Sequence, residues 1–147
     1  MWRGGFLAPA GRASMTAGQL LEHLGWPRAI TVYADDYVPK AIQKMRHHRI
    51  GCVMVTDHFG KLEGVLSERD LLFRGVTASR LRASEQVRRI MSRANVICGL
   101  DTSLEEVGAL MGRHDVRHLP VTRDRRLVGV LSMRDMLRYH VAAARSA

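Results

Sequence analysis

The chain has little cysteine, few aromatic residues and less acid than base. Its two cysteines, Cys52 and Cys98, are far apart and form no C-x-x-C. A redox centre or a cysteine-rich zinc site therefore has nothing to stand on. Both lie among apolar, strand-like neighbours, the setting of buried free thiols, and a reducing, cytoplasmic environment fits them. Trp, Tyr and Phe number two, three and three. None alternates with the arginine runs as a base-stacking platform for nucleic acid requires. No apolar run approaches the ~20 residues that a membrane-spanning helix needs. A nucleophile with its base and orienter, a Walker-type phosphate loop and metal-ligand spacing are all missing, so the reading is of a protein that is not an enzyme. His47, His48, His114 and His118 do not alter this: the first two are adjacent and point to different helix faces, and no cysteine or carboxylate completes a set.

What is present in excess is positive charge. Lys plus Arg total 23 against 14 Asp plus Glu, a formal net charge of +9. Such a balance favours phosphate-bearing partners: nucleotides, nucleic acid or an anionic membrane surface. Arg80, Arg82, Arg88, Arg89 and Arg93 cluster mid-chain, and Arg123, Arg125 and Arg126 crowd a turn. Binding of nucleic acid through phosphates alone is thus an alternative function, as is a nucleotide-independent interaction module. At 46% hydrophobic residues the 147-residue chain has enough apolar material for a proper core.

A nine-residue stretch occurs twice, Gly64-Val65-Leu66-Ser67-Glu68-Arg69-Asp70-Leu71-Leu72 and Gly129-Val130-Leu131-Ser132-Met133-Arg134-Asp135-Met136-Leu137, with seven positions identical. Each copy reads as a short strand running into a helix, with Ser and Asp three apart at the junction. That spacing makes a helix cap. A strand-to-helix turn also offers backbone N–H groups and a positive helix end to an anion.

The repetition extends outward from this stretch. In the first half a strand is expected over 29–32 and a turn at Asp35-Asp36 capping a helix through His48, with Val38, Ala41, Ile42 and Met45 as its buried face. A strand over 50–55, a turn over 57–61 and a strand over 62–66 follow, and the helix opened by Ser67 carries Leu71 and Leu72 inward. In the second half come a strand over 96–98, a helix whose capping box is Thr102 and Glu105, with Leu104, Val107, Leu110 and Met111 as its stripe, and a hairpin over 116–131 leading into the last helix. Residues 17–24 form a short helix ended by Gly25 and Pro27, and Val87, Ile90 and Met91 suggest another. The organisation expected is a flexible tail over 1–15, one domain over 16–78, a linker over 79–86, a second domain over 87–143 and a tail over 144–147. The fold class is α/β: two β-α-β-β-α repeats with pseudo-two-fold symmetry, small mixed sheets flanked by helices.

Tandem units of this order, each closing with Gly-h-h-Ser-x-x-Asp-h-h (h apolar), resemble a pair of cystathionine-β-synthase (CBS) domains. Arg117-His118-Leu119-Pro120-Val121 matches a string common in that family. The resemblance implies a regulatory module binding AMP, ADP or ATP, or more rarely S-adenosylmethionine or NAD(H), with no obligatory cofactor. It also implies a homodimer and an effector protein acted on in trans, without membrane insertion. It transfers ribose recognition to Asp70 and Asp135, and phosphate or ribose contacts to Ser67, Ser132, Arg69, Arg134, Arg117 and His118. The adenine pocket falls to Thr31, Val32, Ile50, Ile97, Val116 and Pro120. Arg69 and Arg134 have an alternative as solvated helix residues. The two sites are expected to be unequal, because Arg117-His118 stands where the first repeat has Gly51-Cys52, and such a basic pair serves the site whose Asp comes from the partner repeat. On that basis the Ser67/Asp70 copy is the better equipped.

Overall fold

The computed structural model describes residues 14–76 and 84–145, apart from the side chains at 75 and 76. Most of the expected N-terminal tail, Arg80 and Arg82 of the linker and the last two residues lie outside it.

In chain order the elements are α1 (Ala17–His23), β1 (Thr31–Tyr33), α2 (Val38–His48), β2 (Cys52–Thr56), β3 (Leu62–Ser67), α3 (Glu68–Asp70, continuing as a π-helical turn over Leu71–Val76), a 3-10 turn (Val87–Arg89), β4 (Ser92–Arg93), β5 (Cys98–Gly99), α4 (Leu104–His114), β6 (His118–Arg123), β7 (Arg126–Ser132) and α5 (Met133–Arg145). The repeated β-α-β-β-α order read from the sequence is therefore present, as two small mixed sheets flanked by helices. One sheet has the order β1-β2-β3-β4 and the other β5-β6-β7. In the first, β1 runs parallel to β2, and the remaining pairs are antiparallel.

Two compact units result, and neither is continuous in sequence. Of the described residues, one comprises those within 28–95 and the hairpin tip 122–128; the other comprises 14–27, 96–121 and 129–145. In the first unit β2 is buried along its whole length, as the strand between β1 and β3 must be. Val53 and Val55 meet Val32, Val38, Ala41, Met45, Leu66, Val87 and Ile90 in one core. The second unit buries Leu20, Leu21, Leu104, Val107, Met111, Leu119, Val121, Leu131 and Met136. Each such side chain contributes roughly 1.5–3 kcal/mol by leaving water. α2 and α4 both stop on a residue in the left-handed region, Arg49 (φ 53°) and Asp115 (φ 50°).

The lead-in to each repeat packs by one rule. Val87 N–H donates to Asp36 O and Arg88 N–H to Ala34 O, while Ala17 N–H donates to Thr102 O and Gly18 N–H to Leu100 O. The segment preceding the first repeat thus lies in the unit of the second, and the reverse.

Several local expectations are corrected. Asp35-Asp36 does not cap α2, whose N-cap is Tyr37. The Asp36 carboxylate closes the preceding turn by accepting from Tyr33 N–H at 2.9 Å, and pairs with Lys40 at 2.7 Å. The cap of α4 is Ser103, accepting from Glu106 N–H; Thr102 Oγ1 accepts instead from Gly99 N–H. Only Leu71 packs on the core, and Leu72 is 62% exposed. Adjacent helical residues cannot face the same way. The strands begin and end within two residues of the expected places, because pairing partners rather than apolar runs set their ends. The first hairpin carries a bulge: Val55 faces Gly64 and Thr56 faces Leu62, skipping Glu63.

Candidate functional site

Both copies of the nine-residue stretch build the same turn. Ser67, at the end of β3, has extended backbone (φ −111°, ψ 163°) and its hydroxyl accepts from Asp70 N–H at 3.2 Å. The Asp70 carboxylate reaches back, and its Oδ2 accepts from Ser67 N–H (2.9 Å) and Ser67 Oγ (2.7 Å). At the end of β7, Asp135 Oδ2 accepts from Ser132 N–H (2.8 Å) and Ser132 Oγ (2.5 Å), and Ser132 Oγ accepts from Asp135 N–H (3.2 Å). This is a capping box with Asp in the place of Glu. It locks each carboxylate in one orientation through one oxygen and turns the other away.

Most backbone N–H groups of these turns have partners. Asp70 and Asp135 N–H are taken by the serine hydroxyls. Glu68 N–H goes to Gly51 O and Met133 N–H to Arg117 O, the residue just ahead of the neighbouring strand region in each repeat. The neighbouring chain has thus consumed donors that the sequence offered to an anion. What the cap leaves over at each turn is the second carboxylate oxygen.

At that oxygen the two copies differ. Asp70 Oδ1 accepts from Ser92 Oγ of β4 at 2.7 Å and has Arg74 Nε at 3.9 Å. Arg74 is itself tied to Met91 O at 3.0 Å, and Asp70 is only 9% exposed. Asp135 is half-buried, and its Oδ1 has no hydrogen-bond partner among the described residues. The difference comes from the lead-ins. Met91 sits over Gly64 as Leu21 sits over Gly129, but past Met91 the chain extends as β4, whereas past Leu21 it stays helical.

The cations around Asp135 form a group within its own unit. His118 is half-buried at the start of β6, and its pKa lies below the ordinary imidazole value. Burial is the main cause, and Arg117 and Arg134 push the same way against the pull of Asp135. Arg117 and Arg134 are exposed. Nearby in the same unit the predicted adenine residues are placed differently from one another: Ile97 is 41% exposed, Val116 half-buried and Pro120 buried. In the other unit Val32 belongs to the core, while Thr31 and Ile50 are half-buried and Arg69 is exposed. Lys44 of α2 donates to the Thr31 carbonyl at 2.6 Å. Ser92, Arg74 and Lys44 are site neighbours that sequence reasoning missed. A partial signal existed for Ser92, since a glycine repeated in a strand (Gly64) marks the close approach of another backbone.

Part of the positive charge is engaged within the protein. Arg126 donates to Phe59 O through Nε and Nη2 at 3.0 and 2.7 Å, Arg89 pairs with Glu85 at 3.1 Å and Arg113 with Glu106 at 2.5 Å. Cys52 and Cys98 are free and buried, and burial pushes each thiol up to about 11, with Glu68 and Asp70 adding to the effect at Cys52. Among the described residues no group of three or more His, Cys, Asp and Glu is placed to hold a metal ion. No helix there is long and apolar enough to cross a membrane.

A family model describing the CBS domain matches residues 21–76 and again 87–142. The CBS domain-containing protein YhcV of Bacillus subtilis is 31% identical over 106 residues, covering 72% of this chain and 74% of its own. The structure of a protein with CBS domains from Burkholderia ambifaria superposes with a TM-score of 0.79 at 30% identity, covering 87% of this chain and 95% of that one. CBSX2, crystallised in complex with AMP, shares the fold with a TM-score of 0.76 at 24% identity, covering 88% of this chain and 98% of its own.

Proposed function

This chain belongs to the CBS domain family, and we propose that it is a regulatory module that binds an adenine nucleotide of the AMP, ADP or ATP class. Its ligand state is passed to a partner protein in trans, from a homodimer in the cytoplasm. The observation that carries this reading is the pair of locked Ser-x-x-Asp turns, in which one carboxylate oxygen is held by the cap and the other is directed away from it. An ionised carboxylate so held accepts ribose hydroxyls in charge-assisted hydrogen bonds.

Of the two copies, Asp135 is the readier acceptor. Its second oxygen has no partner among the described residues, and His118, Arg117 and Arg134 act on the same region. These three supply phosphate recognition; exposed Ile97 and half-buried Val116 supply apolar surface for the purine. Asp70 with Ser67 forms the second, more occluded site. The nucleic-acid alternative is weakened by Arg126, Arg89 and Arg113, whose guanidiniums serve internal partners.

The test is a thermal-shift and calorimetric screen with AMP, ADP, ATP, S-adenosylmethionine and NADH. A ligand at 100 times its Kd adds about 2.7 kcal/mol to stability, a shift such a screen resolves. Asp135→Ala should weaken binding more than Asp70→Ala, and Arg80→Ala should leave it unchanged. No response of the wild-type protein to any of the five would overturn the proposal.

A further inference from the structure

The Asp70 turn is closed by a residue that comes from outside its repeat and has no counterpart at Asp135. Ser92 lies 22 residues further on, in the two-residue strand β4, which pairs with β3 through Gly64↔Arg93 and Val65↔Ser92. Its hydroxyl donates to Asp70 Oδ1 at 2.7 Å, the oxygen that the Ser67 cap leaves over. A ribose hydroxyl approaching Asp70 seeks that same oxygen, with the same O–H donor and the same short geometry. With Asp70 only 9% exposed, serine and ribose compete for access to that one oxygen.

The fit of β4 makes the competition consequential. β4 crosses so close to β3 that a Cβ on Gly64 would stand 2.6 Å from Ser92 O. Arg74 holds the same stretch at Met91 O and faces Asp70 Oδ1 at 3.9 Å. Ser92 thus sits on the segment that leads directly into β5 and the second repeat.

We propose that Ser92 is a built-in occupant of the ribose position on Asp70, so that a nucleotide gains this carboxylate only by displacing Ser92 and loosening the β3–β4 pairing. This rests on the adenine-nucleotide reading above. Ser92 then sets the affinity of the first site and marks the strand through which its occupancy is felt.

The experiment isolates that site. In an Asp135→Ala background, Ser92→Ala should tighten AMP binding about tenfold by calorimetry, the loss of one competing hydrogen bond to a charged group. In an Asp70→Ala background the same change should leave the affinity unaltered. Hydrogen exchange supplies a readout without ligand: Ser92→Ala alone should speed exchange of the amides at 92–93, and AMP added to Asp135→Ala should speed the same amides. Weaker or unchanged AMP binding in the Asp135→Ala, Ser92→Ala double variant overturns the proposal, the first outcome by making Ser92 a ligand contact. If the wild-type protein binds no adenine nucleotide, the functional reading falls and the competition with it. Unchanged exchange at 92–93 in Ser92→Ala overturns the structural half, that this hydroxyl holds β4.

Discussion

Replacing Gly64 by alanine tests how the first unit is held together. The glycine is not needed for an unusual backbone angle; it is needed for space. An added Cβ would meet Ser92 O at 2.6 Å, Met91 Sδ at 2.8 Å and Met91 Cγ at 3.3 Å. Methionine can rearrange. The carbonyl cannot, unless β4 itself moves. Overpacking of this kind costs about 1–3 kcal/mol, and parting β4 from β3 forfeits pairing hydrogen bonds worth about 1 kcal/mol net each. Against this, alanine restrains the unfolded chain and returns about 0.4–1 kcal/mol. The balance is a loss of about 3 kcal/mol, which lowers Tm by roughly 6–12 °C in a chain of this size. Gly129→Ala is the internal control, because the nearest atoms its Cβ would meet belong to the Leu21 side chain, at 2.7, 2.9 and 3.4 Å. Side-chain repacking holds that cost to about 1–2 kcal/mol. Calorimetric melts of both variants, with hydrogen exchange at residues 91–93, make the comparison. A Gly64→Ala melt equal to that of the wild type, or a Gly129→Ala melt lower than that of Gly64→Ala, would refute the reasoning.

Other outcomes follow from the buried groups. His118 has a folded pKa below its ordinary value of 6.5, so the unfolded chain binds the proton more readily. Its contribution to stability is present above pH 6.5 and is lost as the pH falls through the folded value. His118→Gln should flatten that acid-side slope in pH-dependent melts; an unchanged slope would remove His118 from the argument. A phosphate bound beside this imidazole favours its charged form, so AMP affinity should rise from pH 8 to pH 6 while adenosine affinity stays level, as calorimetry at several pH values would show. The Cys52 and Cys98 thiols, both pushed up to about 11 and buried, should resist a thiol reagent at neutral pH in the native state and react at once in denaturant. Rapid native-state labelling of either would contradict the burial.

Much of this architecture was legible because the chain states it twice. The repeated Gly-Val-Leu-Ser-x-Arg-Asp placed both strand-to-helix turns, and the apolar spacing of Val38, Ala41 and Met45 identified the inner face of α2. Local chemistry was less legible where two adjacent polar residues could each take one role. Asp36 and Thr102 both looked like helix caps, and both instead close the turn one step earlier, because Tyr33 and Gly99 present nearer N–H groups. The apolar pair Leu71-Leu72 suggests two inward side chains, but two neighbouring helical side chains cannot share a face, and only Leu71 packs on the core. The site was legible in its motif residues and not in their company. Nothing in the run Met91-Ser92-Arg93 announces that a hydroxyl there will sit on a carboxylate 22 residues earlier. That contact exists only because the lead-in of one repeat is laid against the other.

The exchange of lead-ins has a consequence for anyone who would divide the chain. A cut between residues 77 and 83 looks like a clean separation of two modules, yet each fragment would carry away the cover of the other's core. The fragment ending there would keep Leu20 and Leu21 with nothing to bury them and would lose Val87 and Ile90, which its own core requires. Produced separately, the halves should be poorly soluble; produced together, they should recover by lending each other those short segments. The reciprocal loan makes the duplication irreversible in practice: neither copy can be deleted without unroofing the one that remains.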